Sequence, residues 1–134
     1  MSKFLLSYVI IVVIFVAIDM VWLMGLARST YVAEIGSLLK KQPNLTAAIL
    51  FYFGYALGLW FFAVSPGMAA GSWPLAAGLG AAIGAMAYGT YDFTNLSVME
   101  GFGWRIAIID LVWGTVLSGV VAGLSTRLVM MFGL

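Results

Sequence analysis

The chain has no cysteine and no histidine among its 134 residues. Disulfides, Cys/His zinc sites, thiolate nucleophiles, His-ligated haem and Ser-His-Asp triads are therefore excluded. Charge is also scarce. Only 8% of the residues are Asp, Glu, Lys or Arg, against about 25% in a soluble domain, too few to cover a water-facing surface. The net charge is +1 and no basic run occurs, which argues against nucleic acid as a partner. No cofactor is expected, nor a metal, since the few acids lack the local spacing of a recognised metal motif.

Apolar sequence dominates instead: 64% of residues are hydrophobic and 16 are glycine. A helix crosses about 30 Å of hydrocarbon with about 20 apolar residues. Four stretches qualify, at about 4–27, 45–64, 75–98 and 104–130. The fold class read here is all-α and integral to the membrane, a four-transmembrane-helix bundle in a single domain over 1–134. The first stretch is longer than a signal-peptide apolar region and lacks a clear small-x-small site, so it reads as a retained helix. Ser65-Pro66-Gly67 reads as the end of the second span, Trp73-Pro74 as the start of the third, and Glu100-Gly101-Phe102-Gly103 as a tight turn. Between the first two spans, Tyr31, Ile35, Leu38 and Leu39 recur at helical spacing. That segment is either a short interfacial helix in loop one or an extension of the first helix.

Orientation follows from Lys and Arg. Arg28, Lys40, Lys41 and Arg105 lie in loops one and three, against Lys3 and Arg127 on the other side. Loops one and three are thus expected in the cytoplasm. Gly54/Gly58, Gly80/Gly84 and Gly119/Gly123 repeat at four residues, a spacing that lets helices approach closely, within the chain or between copies.

Three acids fall inside the apolar stretches: Asp19, Asp92 and Asp110. A central Asp costs about 2.5–3.5 kcal/mol on insertion scales, and such groups face protein or water and often mark function. Each has companions at helical spacing. Asp19 precedes Trp22 and Asp110 precedes Trp113. Tyr88, Tyr91, Asp92 and Asn95 share one face, and Tyr52 and Tyr55 stand three apart. At about 1.5 Å per residue, these side chains fall in one layer, in the half of the membrane nearer loops one and three. The other half reads as almost purely apolar. The expectation is an acidic and aromatic pocket formed by Asp19, Trp22, Tyr52, Tyr55, Tyr88, Tyr91, Asp92, Asn95, Asp110 and Trp113, with Arg28 and Arg105 near its rim. A polar network that only fixes helix packing would use the same residues. Ile18-Asp19-Met20-Val21-Trp22 also resembles Ile109-Asp110-Leu111-Val112-Trp113, two similar sites on helices of opposite direction.

Asp19-x-x-Trp22, Phe51-Tyr52, Phe62-Ala63-Val64, the run Tyr88-Gly89-Thr90-Tyr91-Asp92-Phe93-Thr94-Asn95 and Asp110-x-x-Trp113-Gly114 together resemble a family of bacterial membrane proteins catalogued as domain of unknown function 2177. The resemblance covers almost the whole chain, and the run from Tyr88 to Asn95 is its most specific part. It implies a small four-helix protein of the bacterial inner membrane and supplies no activity. Three functions compete. The first is binding or moving a small molecule, cation or lipid, with acids and aromatics favouring cations. The second is an accessory or assembly subunit of a larger membrane complex, or a homo-oligomer. The third is a membrane enzyme on a lipid or quinone-like substrate, against which no nucleophile–base pair is found and no catalytic residue can be named. Membrane lipids are partners in every case.

Overall fold

The computed structural model describes residues 2–133, and no strand occurs among them. Helix α1 spans Lys3–Val21, capped by the Ser2 side chain, which accepts from the Leu5 N–H. It runs on through a π turn at Trp22–Leu26. The wider turn ends at Ala27, whose N–H bonds back to the Trp22 carbonyl at 2.9 Å. Helix α2, Arg28–Ile35, then starts as a separate short helix. Of the two readings of loop one, the separate helix is the one found. It packs its Ile35 on Phe102, Ile106 and Ala107, with Tyr31 and Leu96 alongside.

Asn44 caps α3, Leu45–Leu59, by accepting from the Ala47 N–H. The expected end of this span at Ser65-Pro66-Gly67 is corrected. The chain passes through a second π turn, Trp60–Val64, directly into α4, Ser65–Ala69. Pro66 sits in the first turn of α4, where its missing N–H costs nothing. The break comes later, at Gly71, whose φ of 62° suits a residue without a Cβ. Ser72 caps α5, Trp73–Val98, with Pro74 in its first turn, as the Trp73-Pro74 pair suggests. Gly101, at φ 84°, turns the chain into α6, Trp104–Met131.

Three helical runs are long and apolar enough to cross a membrane: Lys3–Leu26, Leu45–Ala69 and Trp104–Met131. Helix α5 is as long but draws its apolar content from Ala and Gly more than from Leu, Ile and Val. That composition serves packing. A Cβ at Gly80 would lie 2.6 Å from the Ser118 carbonyl oxygen, and one at Gly84 would collide with the Gly114 carbonyl. Gly119 and Gly123 likewise face Ala77 and Ala81. Four of the six paired glycines thus bring the α5 and α6 backbones together. Gly54 and Gly58 on α3 have nothing within 4 Å.

The core joins Ile11 and Phe15 of α1, Ala56 and Leu59 of α3, Ala76 of α5, and Leu117, Val121 and Ala122 of α6. Large apolar side chains such as Leu50, Val13 and Met86 point outward, an arrangement that suits a hydrocarbon solvent. The half away from loop one also holds buried hydroxyls, which corrects its reading as almost purely apolar. Ser7 donates to the Lys3 carbonyl and accepts from the Trp60 indole, and Thr126 donates to the Ala122 carbonyl.

Candidate functional site

The polar residues of α1 and α6 meet at the loop-one end of the bundle. Asp19, 6% exposed, accepts two hydrogen bonds. The Tyr52 hydroxyl of α3 donates to one carboxylate oxygen at 2.6 Å, and the Trp113 indole of α6 donates to the other at 3.1 Å. Asp110 accepts from the Tyr31 hydroxyl of α2 at 2.6 Å, and Tyr31 in turn accepts from the Trp22 indole at 3.3 Å. The indoles of Trp22 and Trp113 stack with centroids 4.2 Å apart and planes 6° from parallel. Each acid of the two similar segments is therefore served by the tryptophan of the other, directly at Asp19 and through Tyr31 at Asp110.

The π turn after Trp22 makes the second link. By bending the chain at Ala27 it returns α2 beneath the end of α1, so that Tyr31 reaches both Trp22 and Asp110. Burial, and then the hydrogen bond to Asp110, push the Tyr31 phenol above its ordinary range, so it stays a neutral donor. Arg105 pairs with Glu34 at 3.5 Å and ties the start of α6 to α2. The Arg105 side chain is 73% exposed, and such a surface pair contributes little to stability.

A cavity of about 340 Å³ lies against this cluster, lined by Asp19, Leu23, Tyr31, Phe51, Ala87, Tyr88, Tyr91, Asp110 and Trp113. Every helix of the bundle except α4 contributes to its wall. Helix α3 meets α5 through the π turn Trp60–Val64 and α4. Towards loop one the gap is spanned by aromatic rings: Phe51 stacks on Tyr55 at 5.3 Å, and Tyr55 meets Tyr88 at 6.2 Å. Tyr55 and Ser118 also share a hydrogen bond of 2.7 Å. The most exposed residues of its wall are Phe51 of α3, 48%, and Tyr91 of α5, 55%. Arg28 lines an adjoining hollow that shares Leu23 and Tyr31 with the cavity, so it borders the site, while Arg105 is held outward by Glu34.

The ten residues singled out in the sequence are thus gathered at one end, in distinct places. Asp19, Tyr88, Tyr91, Asp110 and Trp113 form the cavity wall. Tyr52, Tyr55 and Trp22 stand behind it, holding Asp19, Tyr88 and Trp113. Asp92 is outside the wall, fully buried beside Asp110, and Asn95 lies next to Tyr91 one turn along α5. Four further wall residues, Tyr31, Leu23, Phe51 and Ala87, are not among those ten. Tyr31 had one signal, its i, i+4 spacing with Ile35 on the apolar face of α2. Among the described residues no group of three acids stands close enough to hold a metal.

With this geometry in view, residues 4–127 match the family described as Predicted membrane protein (DUF2177). The chain belongs to that family. Its match extends from the first turn of α1 to Arg127 near the end of α6, so the cavity and both Asp–Trp segments fall inside it. No curated protein and no solved structure matches the chain.

Proposed function

We propose that this membrane protein binds, and moves, a small cationic or amphipathic molecule that enters the cavity from the bilayer. The observation that carries this reading is the make-up of the wall: two acids, Asp19 and Asp110, no basic side chain, and aromatic rings on the remaining sides. An acid beside π faces attracts a positive group through charge and through the ring quadrupole. The half-exposed Phe51 and Tyr91 of the wall favour a ligand with an apolar body. On this reading α5 is the fourth crossing, and the protein sits in the bacterial inner membrane with loops one and three in the cytoplasm. The balance of Arg28, Lys40, Lys41 and Arg105 against Lys3 and Arg127 supports that orientation.

Native mass spectrometry of protein gently extracted from its own membrane, beside Asp110→Asn, tests the proposal. A discrete bound mass that disappears in the variant is expected. No bound mass in either sample, with equal stability of both, would leave a packing network as the better account. A second reading, association with another copy or a partner subunit, is favoured by the open face at Gly54 and Gly58. The copy number in the same spectrum decides it.

A further inference from the structure

The three intramembrane acids differ in how many donors the fold supplies. Asp19 has two, from Tyr52 and Trp113. Asp110 has one, from Tyr31. Asp92 has none among the described residues: it is 0% exposed and neither carboxyl oxygen has a hydrogen-bond partner there. A buried ionised carboxylate without donors is among the most costly groups a protein can hold.

Among the described residues, no cation is found beside Asp92. Across the α5–α6 contact, where Gly89 meets Leu111, its neighbour is Asp110. From α2 the facing titratable group is Tyr31, already committed to Asp110, and on α5 itself it is Tyr91. Asp19 stands across the cavity, held by its own two donors. The ion pair formed by the described residues, Arg105 with Glu34, lies outside. Two adjacent carboxylates cannot both ionise cheaply, whereas one proton between them converts an acceptor into a donor.

We propose that Asp92 and Asp110 form a single proton-binding site, a carboxyl pair that carries one proton, separate from Asp19 with its two donors. The O–H of one carboxyl donates to the other, which gives Asp92 its missing partner. A proton needs no room, and this suits a group that lies outside the cavity wall. A metal ion would need several oxygen ligands, and no third acid joins the pair among the described residues. Asp110 lines the cavity and Asp92 does not, so the proton enters and leaves by way of Asp110. The pair holds its proton in the empty cavity, so its protonation can be read with no ligand present.

Infrared spectroscopy of the full chain in phosphatidylethanolamine–phosphatidylglycerol vesicles at neutral pH tests this, with no ligand added. The expected spectrum contains the C=O stretch of a protonated carboxyl, shifted in D2O. That band is lost in Asp92→Asn, lost in Asp110→Asn and kept in Asp19→Asn. The wild-type spectrum alone can overturn the proposal, by lacking the band, even if a variant fails to fold. A band that survives both Asp92→Asn and Asp110→Asn, or that vanishes in Asp19→Asn alone, places the proton elsewhere and overturns it too. Absence of any bound mass from the wild type in mass spectrometry, with the band intact, would refute the cavity's proposed role and leave the pair standing.

Discussion

Trp22 and Trp113 lie face to face, 4.2 Å apart and 6° from parallel, and join the loop-one ends of α1 and α6. Their indole N–H groups point to different acceptors, Tyr31 and Asp19. The stack therefore couples the two acidic positions mechanically. Indoles stacked at this spacing are excitonically coupled, and they give a couplet in circular dichroism when their in-plane transition dipoles cross at an angle. The couplet is expected to vanish in Trp22→Phe and in Trp113→Phe alike. A double-mutant cycle between the two should give a coupling of about 0.5–1.5 kcal/mol. An unchanged couplet in either single variant would mean the rings do not stack in the membrane.

The donors to Asp19 lead to a graded expectation. Tyr52→Phe removes the 2.6 Å bond and leaves one buried carboxylate oxygen without a donor. A cost of about 1–3 kcal/mol follows, read as a lowered midpoint of unfolding in detergent. Tyr8→Phe makes the control: it removes the bond to the Phe53 carbonyl at an exposed position, and its cost should be the smaller of the two. Equal losses would argue that Asp19 is wetted rather than enclosed.

Gly114 explains why the ring of Tyr88 can lie on α6. A Cβ at Gly114 would overlap that ring. Gly114→Ala should therefore push Tyr88 into the cavity, costing about 1–3 kcal/mol through overpacking and lowering the affinity for a cationic probe such as benzyltrimethylammonium. Combining it with Tyr88→Ala should restore much of the stability, because the clash disappears with the ring. Additive losses in the double variant would show that Gly114 matters for the backbone alone.

How much of this was legible beforehand depends on the range of the interactions. Asp19, Asp110 and Trp113 stand out because a charge or an indole interrupts an apolar helix, and a depth count puts them in one layer. The count cannot say which way each side chain turns. So the helical spacing puts Asp92 on one face with Tyr88 and Tyr91, while helix packing turns it towards Asp110 and out of the cavity wall. Tyr31 escaped because its place depends on the π turn at Trp22–Leu26, for which the local sequence WLMGL carries no recognised signal. The later end of the second span, at Ala69, has a similar cause. Pro66 breaks a continuous helix but fits the first turn of one restarted after a π turn.

If the Asp92–Asp110 proton and a cationic ligand share the cavity acids, they compete. Deprotonation of the pair adds a negative charge at the wall, so the affinity for benzyltrimethylammonium should rise as pH rises through the pair's titration. In Asp92→Asn the pair no longer takes up a proton, and the pH dependence should flatten while binding through Asp19 persists. Isothermal titration calorimetry at several pH values reads both slopes. A wild-type affinity that falls with increasing pH contradicts the competition.

The number of crossings can be settled with the chain's own lack of cysteine, which makes every introduced thiol unique. Ala70 and Glu100 flank α5 at its two ends, and both are exposed. If α5 crosses, Ala70→Cys and Glu100→Cys react with a membrane-impermeant maleimide from opposite sides. Lys40→Cys, in loop one, should label from the same side as Glu100→Cys, which is the cytoplasmic side in the proposed orientation. The close seating of Gly80 and Gly84 on α6 makes the alternative specific. An α5 that did not cross would have to leave its partner helix, and Ala70→Cys and Glu100→Cys would then label from one side. That result would remove the fourth wall of the cavity, because Ala87, Tyr88 and Tyr91 all come from α5.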